Sequence, residues 1–289
     1  MAIPAFFAGE IKEEKPMKKI AALLLALLML LGCCPALADG TLRVGMECTY
    51  PPYNWQQMTE TEFTAPIADG NGYADGYDVQ IAKRIAQALN MDLEIVKTDW
   101  EGLIPALGDA EHPGAIDLII AGMSPTAKRK LTIDFTDYYY QSQLVVVVRK
   151  DGPYADAKTL ADLSDAVICA QLGTFHDEVV DQIPGVIHDI PRETFPAMVV
   201  ALKAGAIDGY IAEKPGAEAD TMANPELTYI EFEEGSGFVA SEDDTAISIG
   251  LLYGSPYKDA INDLLSQISA EERVQIMLDA TTRQPLAAE

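Results

Sequence analysis

Cations are scarce in this sequence. Its 289 residues hold 20 lysines and arginines against 45 aspartates and glutamates, for a formal net charge of −25. Such a surface repels nucleic acid and the anionic face of a membrane, so neither is an expected partner. The carboxylate excess reads as a solvated acidic shell and identifies no ligand. Histidine is nearly missing: His112, His176 and His188 are scattered, and none falls in an HExxH or other ligand spacing. Cysteine is equally thin. Beyond Cys33 and Cys34 only Cys48 and Cys169 remain, which is neither a disulfide framework nor a metal-site spacing. Buried free thiols are expected there, and no metal or cofactor is expected anywhere.

A membrane-spanning run is missing from the N-terminus too. Lys18 and Lys19 precede an apolar stretch, Ile20 to Leu31, of only twelve residues. A bilayer needs about 20, whereas twelve suit the apolar core of a secretory signal. Lys12-Glu13-Glu14 can be encoded as AAGGAGGAA, a ribosome-binding sequence upstream of Met17. Met17 is therefore the expected start, and residues 1–38 an over-extended leader plus signal peptide. Two processing sites compete. Leu30-Leu31-Gly32-Cys33 resembles a bacterial lipobox, which places a lipid on Cys33. Ala36-Leu37-Ala38 before Asp39 matches the small-x-small pattern of ordinary release. Either route puts the protein outside the cytoplasmic membrane.

What is present is a globular α/β pattern. Apolar residues make up 49% and charged residues 22%, and the length exceeds what one ordinary core serves, so two domains are expected. Leu42–Met46 reads as a buried strand and Asp78–Asn90 as an amphipathic helix with Asn90 at its C-cap. Strand Leu93–Val96, helix Leu103–Leu107 and strand Ile116–Ala121 follow, then a β-rich run, Leu144–Arg149. The alternation then restarts with strand Val167–Leu172, helices Thr174–Gln182 and Glu193–Ala204, and strand Ile207–Ala212. That order predicts parallel sheets covered on both faces.

One phrase occurs twice. Ala106-Leu107, Gly114-Ala115-Ile116-Asp117, Ile120-Ala121 returns as Ala201-Leu202, Gly205-Ala206-Ile207-Asp208, Ile211-Ala212. The repeat predicts two α/β lobes of similar design. Ligands in such sheets bind beyond the carboxyl ends of the strands, which singles out Gly122–Arg129 after the first copy and Glu213 after the second. In the first loop Arg129 offers a planar fork of donors suited to a carboxylate, with the Ser124 hydroxyl nearby. Gln171-Leu172-Gly173-Thr174 leads into a helix whose N-terminus, capped by Thr174, suits an anion. Glu213 suits an ammonium, or is simply an exposed acid. Tyr50, Tyr53 and Trp55 follow the first strand and Trp100 the second, where rings can stack on a ligand side chain or pack into the core. Tyr77 and Tyr138–Tyr140 read as structural.

Taken in order, these phrases resemble the polar amino-acid-binding proteins of ABC importers, the bacterial extracellular solute-binding proteins of family 3 that include lysine/arginine/ornithine and histidine binders. The resemblance runs from Leu42 to about Leu278. Its markers are Tyr50-Pro51-Pro52-Tyr53, Gly76–Val79, Trp100–Leu107, Ala121–Thr126 with Arg129, Asp134–Asp137, Gln171–Thr174 and Gly209–Pro215. It implies a type II periplasmic-binding-protein fold: two doubly wound α/β lobes joined by a two-strand hinge near Gln141–Gln143 and Asp244–Ile247. Lobe 1 is then discontinuous (41–142 and 246–289) and lobe 2 is 143–245. Arg129 falls where the family grips the ligand α-carboxylate, helped by Ser124 and the backbone of Thr174 and Phe175. The Gly122 carbonyl and Glu213 fall where the α-ammonium is held, although many members carry the shorter Asp at the latter position. Tyr50 and Trp100 match the pair that sandwiches the side chain, and Glu47 the acid facing a distal cation. The longer Gly108–Pro113 connector and the missing late Trp depart from the family without touching the site.

The resemblance implies a monomeric, non-enzymatic receptor that passes a free amino acid, lysine or arginine before glutamine, to a membrane permease. The alternatives are a binder of glutamine or another polar amino acid, a cyclohexadienyl-dehydratase-like enzyme, and a ligand-sensing ectodomain, since fold alone does not fix function.

Overall fold

The computed structural model describes residues 40–109, 111–233 and 235–285. The leader, the signal segment, Cys33 and both processing sites lie outside the described residues. The strands in chain order are β1 (Thr41–Met46), β2 (Thr49–Tyr50), β3 (Asn54–Gln57), β4 (Ala65–Pro66), β5 (Tyr73–Asp75), β6 (Asp92–Lys97) and β7 (Leu118–Ile119). They continue as β8 (Asp134–Gln141), β9 (Leu144–Arg149), β10 (Val167–Cys169), β11 (Ile187–His188), β12 (Gly209–Glu213), β13 (Leu227–Ile230) and β14 (Ala246–Leu251).

Two five-stranded sheets carry the fold, ordered β6-β1-β7-β14-β8 and β11-β10-β12-β9-β13. Position by position they correspond. In each, the repeated phrase supplies the central strand, β7 or β12, flanked by a parallel neighbour, β1 or β10, and an antiparallel one, β14 or β9. The repeated Asp explains itself here. Asp117 Oδ2 accepts the Arg43 backbone N–H at 2.8 Å, and Asp208 Oδ2 accepts that of Val167 at 2.9 Å. Each carboxylate thus satisfies a backbone donor at the start of the neighbouring strand. The sheets are mixed rather than parallel, because β8, β9, β13 and β14 run against their neighbours. Local alternation of strands and helices carries no information about those long-range antiparallel pairings.

Both faces of the second sheet are buried, with a period of two. On β9, Val145 and Val147 join the large core shared with the first sheet, while Val146 and Val148 join a separate cluster with Ile168, Val179 and Ile211. Helix Tyr77–Ala88 packs Val79, Ile81, Ala82, Ile85 and Ala86 inward. It ends at Ala88, two residues earlier than expected, with Leu89 rather than Asn90 as its C-cap, and Asn90 follows in the left-handed region at φ 52°. Of the other expected elements, β9 keeps its expected bounds, β1 and β6 extend beyond theirs, and the rest are trimmed or shifted: strand Ile116–Ala121 is reduced to β7, and helix Thr174–Gln182 to Phe175–Val180. Cys48 and Cys169 are buried free thiols.

Two strands cross between the sheets, where β8 passes into β9 and where helix Glu242–Thr245 leads into β14. They are tied together by Ser142 N–H to the Thr245 carbonyl at 3.0 Å and by Gln141 Nε2 to Thr245 Oγ1 at 2.8 Å.

Candidate functional site

Four strands, β1, β7, β10 and β12, direct their carboxyl ends at one cleft. Tyr50, Trp100, Gly122, Ser124, Arg129, Thr174, Phe175 and Glu213 all line it. Glu47 does not. It opens onto a neighbouring cavity of about 590 Å³ that shares Trp100 as a wall. The cleft itself encloses only about 20 Å³ of solvent space, roughly one water molecule. The lobes are shut upon each other.

At one end of the cleft lies Arg129. Its Nη1 donates to the Ser124 carbonyl at 2.9 Å and its Nη2 crosses to the Gly173 carbonyl at 3.3 Å. Its guanidinium sits over the Trp100 ring, 4.9 Å from the centroid. Burial pulls it down to about 10. Among the described residues Arg129 makes no ion pair with a carboxylate, so this half-buried cation rests on carbonyls and a ring. Donors of that kind accept an anion readily. Thr174 does not cap its helix as expected: its hydroxyl donates instead to the Gln171 carbonyl at 2.7 Å. The Phe175–Val180 backbone donors therefore have no side-chain cap at the cleft.

Glu213 lines the same cleft. It is only 4% exposed, so it is not a surface acid. His176 Nε2 lies 3.0 Å from its Oε1, and the Tyr50 hydroxyl donates to its Oε2. Burial works to raise this carboxyl, but the His176 charge and the hydrogen bonds from His176 and Tyr50 hold it below the usual carboxylate range. Burial and the adjoining Glu213 charge push the Tyr50 phenol well up, so it stays a donor.

The aromatic residues of the cleft occupy one another. Tyr50 stacks on Tyr53 at 4.9 Å and on Phe195, from the opposite lobe, at 4.2 Å. With Arg129 over Trp100, the ring faces expected to take a side chain are covered by protein groups in this closed form. Gly122 turns the loop after β7 at φ +62°, and a Cβ there would come within 3.1 Å of the Tyr50 ring. Its N–H donates to the Tyr139 hydroxyl at 3.2 Å, which donates in turn to Asp78 at 2.7 Å. Tyr139 is structural, as expected, and what it braces is the cleft loop.

Glu47 is held differently. Gln171 Nε2 crosses from the other lobe to donate to its Oε1 at 3.0 Å, and also to the Glu193 carbonyl at 3.0 Å. Burial dominates and raises the carboxyl to about 7.

Sequence reasoning missed four cleft residues: Gln171, His176, Phe195 and Asp244. His176 was legible in principle, two residues past Thr174 in the same helical turn, but was set aside with the other histidines for want of metal spacing. Phe195 enters through a helix with no motif to mark it. Among the described residues no cluster of His, Cys, Asp and Glu is arranged to hold a metal, and no helix is long and apolar enough to cross a membrane.

A solute-clamping protein of two α/β lobes is the class this cleft defines. The chain belongs to the bacterial extracellular solute-binding proteins, family 3, whose profile matches residues 42–279. It is 32% identical to a probable histidine-binding protein of Campylobacter jejuni over 200 residues, 68% of this chain and 70% of that one. An amino acid ABC transporter substrate-binding protein from Streptococcus pneumoniae, solved with L-arginine, superposes with a TM-score of 0.72 at 25% identity, covering 84% of this chain and 95% of that one. An ancestral arginine-binding protein solved with glutamine gives 0.66 at 27% identity, covering 83% and 97%.

Proposed function

We propose that this solute-binding protein clamps a free L-amino acid, arginine or lysine before glutamine, and delivers it to the membrane permease of an ABC importer. The observation that carries the reading is the presence of opposite charges in one cleft: Arg129, with no ion-paired carboxylate among the described residues, and a charged Glu213. Arg129, Ser124 and the backbone at Thr174 and Phe175 take the α-carboxylate. Glu213 and the Gly122 carbonyl take the α-ammonium. Tyr50 and Trp100 flank the side chain, and its distal cation reaches Glu47.

An amino acid the size of arginine enters only when the lobes part. Residues 41–142 and 246–289 then move as lobe 1 against 143–245 as lobe 2, turning at Gln141–Gln143 and Asp244–Ile247. The two half-sites complete each other only on closure, so the ligand draws the population toward the shut form. Buried charges left unpaired are costly, which is how such a cleft rejects molecules lacking either the ammonium or the carboxylate. The cleft binds without catalysis and the protein works as a monomer. It acts outside the cytoplasmic membrane, either tethered through Cys33 or released after Ala38.

One observation favours glutamine as a second reading. Glu47 is raised to about 7, held by Gln171, and faces a different cavity from Arg129 and Glu213. A neutral amide can exchange with Gln171 without asking Glu47 to ionise. Calorimetry with the twenty amino acids decides between them. Tight arginine binding with weak glutamine binding supports the first reading, the reverse order supports the second, and binding of neither overturns both.

A further inference from the structure

Glu213 already has a partner in the protein before any ligand arrives. His176 stands on the first turn of the helix after β10, its Nε2 3.0 Å from Glu213 Oε1, and its side chain is only 10% exposed. Its other ring nitrogen, Nδ1, is buried with no hydrogen-bond partner among the described residues. The groups around the pair are few. From lobe 1 the Tyr50 hydroxyl reaches Glu213 Oε2, and the Arg129 charge acts on Glu213 through space. From lobe 2 the Phe195 ring meets the imidazole edge-on at 6.3 Å. On the imidazole's own helix, Asp177 is turned away to His188 at 2.9 Å, and Asp244, which also lines the cleft, accepts from the Ser241 hydroxyl at 2.6 Å. A protonated His176 therefore has one carboxylate to answer its charge, and that carboxylate is the one assigned to the ligand.

We propose that His176 is the specificity-determining residue of the amino-group end, a resident counter-ion that an α-ammonium displaces from Glu213 as His176 gives up its proton. The inference rests on the reading of Glu213 as the ammonium's partner. The charges balance. Before binding, Glu213 is negative and the imidazolium positive. Afterwards the ligand's ammonium supplies the positive charge, the imidazole is neutral, and one proton has passed to the buffer. Two cations on one buried carboxylate repel each other, and Nδ1 offers the imidazolium no second acceptor. A ligand whose amine is neutral or absent brings no replacement charge and leaves His176 paired. The histidine thus screens for an ammonium rather than for any amine.

The chain has only three histidines, so the His176 imidazole is readily followed by nuclear magnetic resonance, with His112 and His188 as internal controls. The probe is an equimolar mixture of the twenty standard L-amino acids, added near pH 6 to the unsubstituted protein. The expected result is a shift of the His176 signals toward the neutral form, with His112 and His188 unmoved. Calorimetry in two buffers of different ionisation heat should report a released proton. Affinity should fall by up to about tenfold per pH unit on the acid side, a dependence that His176→Gln flattens. His176 signals that do not respond to the mixture overturn the proposal. Glu213→Gln tells the two failures apart. If it abolishes binding while the parent's His176 stays unmoved, only the role of His176 fails. If it leaves binding intact, the assignment of Glu213 fails with it.

Discussion

Two buried glutamates stand near this cleft, and burial has opposite outcomes for them. Glu213, with an imidazole and a phenol on its oxygens, lies below the usual carboxylate range. Glu47, with one amide donor and Asp99 nearby, is raised to about 7. Both side chains are within a few per cent of full burial, at 4% and 5% exposed. Partners, not depth, decide which is charged. The amino-group end is therefore charged in advance, whereas the distal end is only partly charged near neutral pH until something cationic arrives.

Removing the charge from the pre-charged end should have the larger effect. Glu213→Gln is expected to weaken binding of every amino acid by at least about 30-fold, since it leaves a buried ammonium without its counter-ion. Isothermal calorimetry reads it, and a uniform loss across side chains distinguishes it from changes at Glu47. Glu47→Gln should be selective. Arginine binding should drop by about tenfold or more, the scale of one charged hydrogen bond, and glutamine binding should barely move. Unchanged arginine binding would favour the glutamine reading.

The same substitution should act on stability with a definite sign. The Glu47 carboxyl ordinarily ionises near 4.5 and in the fold near 7. Between those values the unfolded chain has lost the proton and the folded chain has kept it, so stability declines as pH rises through that window. Above about 7 the penalty is complete. Glu47→Gln escapes it, so thermal unfolding without ligand should show the variant stabilised by roughly 1–3 kcal/mol at pH 8 and not at pH 4. A variant equally stable at both extremes would mean that Glu47 is not held protonated. The smallest effect belongs to Gln171→Leu. It removes the donor that competes for Glu47, and should raise the arginine-to-glutamine affinity ratio by about fivefold.

Much of the frame was legible in the chain because it is written twice. The duplicated Gly-Ala-Ile-Asp phrase located the central strand of each sheet, and its Asp does the same work in both, accepting the N–H of Arg43 or Val167. From there the rule about strand ends led to Arg129 and Glu213. The antiparallel strands were not legible, since β14 pairs with β7 and β8 across more than a hundred residues. The state of the charged groups was hidden for a different reason. That Tyr50 lies between Tyr53 and Phe195, that Gln171 reaches Glu47, and that His176 reaches Glu213 are all consequences of two surfaces meeting. No local pattern in either lobe records them.

A cation and an anion share one closing cleft, and Arg129 is the half with no ion-paired carboxylate among the described residues. Calorimetric titration of Arg129→Ala with the amino acid that the parent binds tests it most directly. Loss of affinity by about a hundredfold or more, with the fold intact by circular dichroism, is the predicted result. Undiminished affinity in a folded Arg129→Ala protein would contradict it.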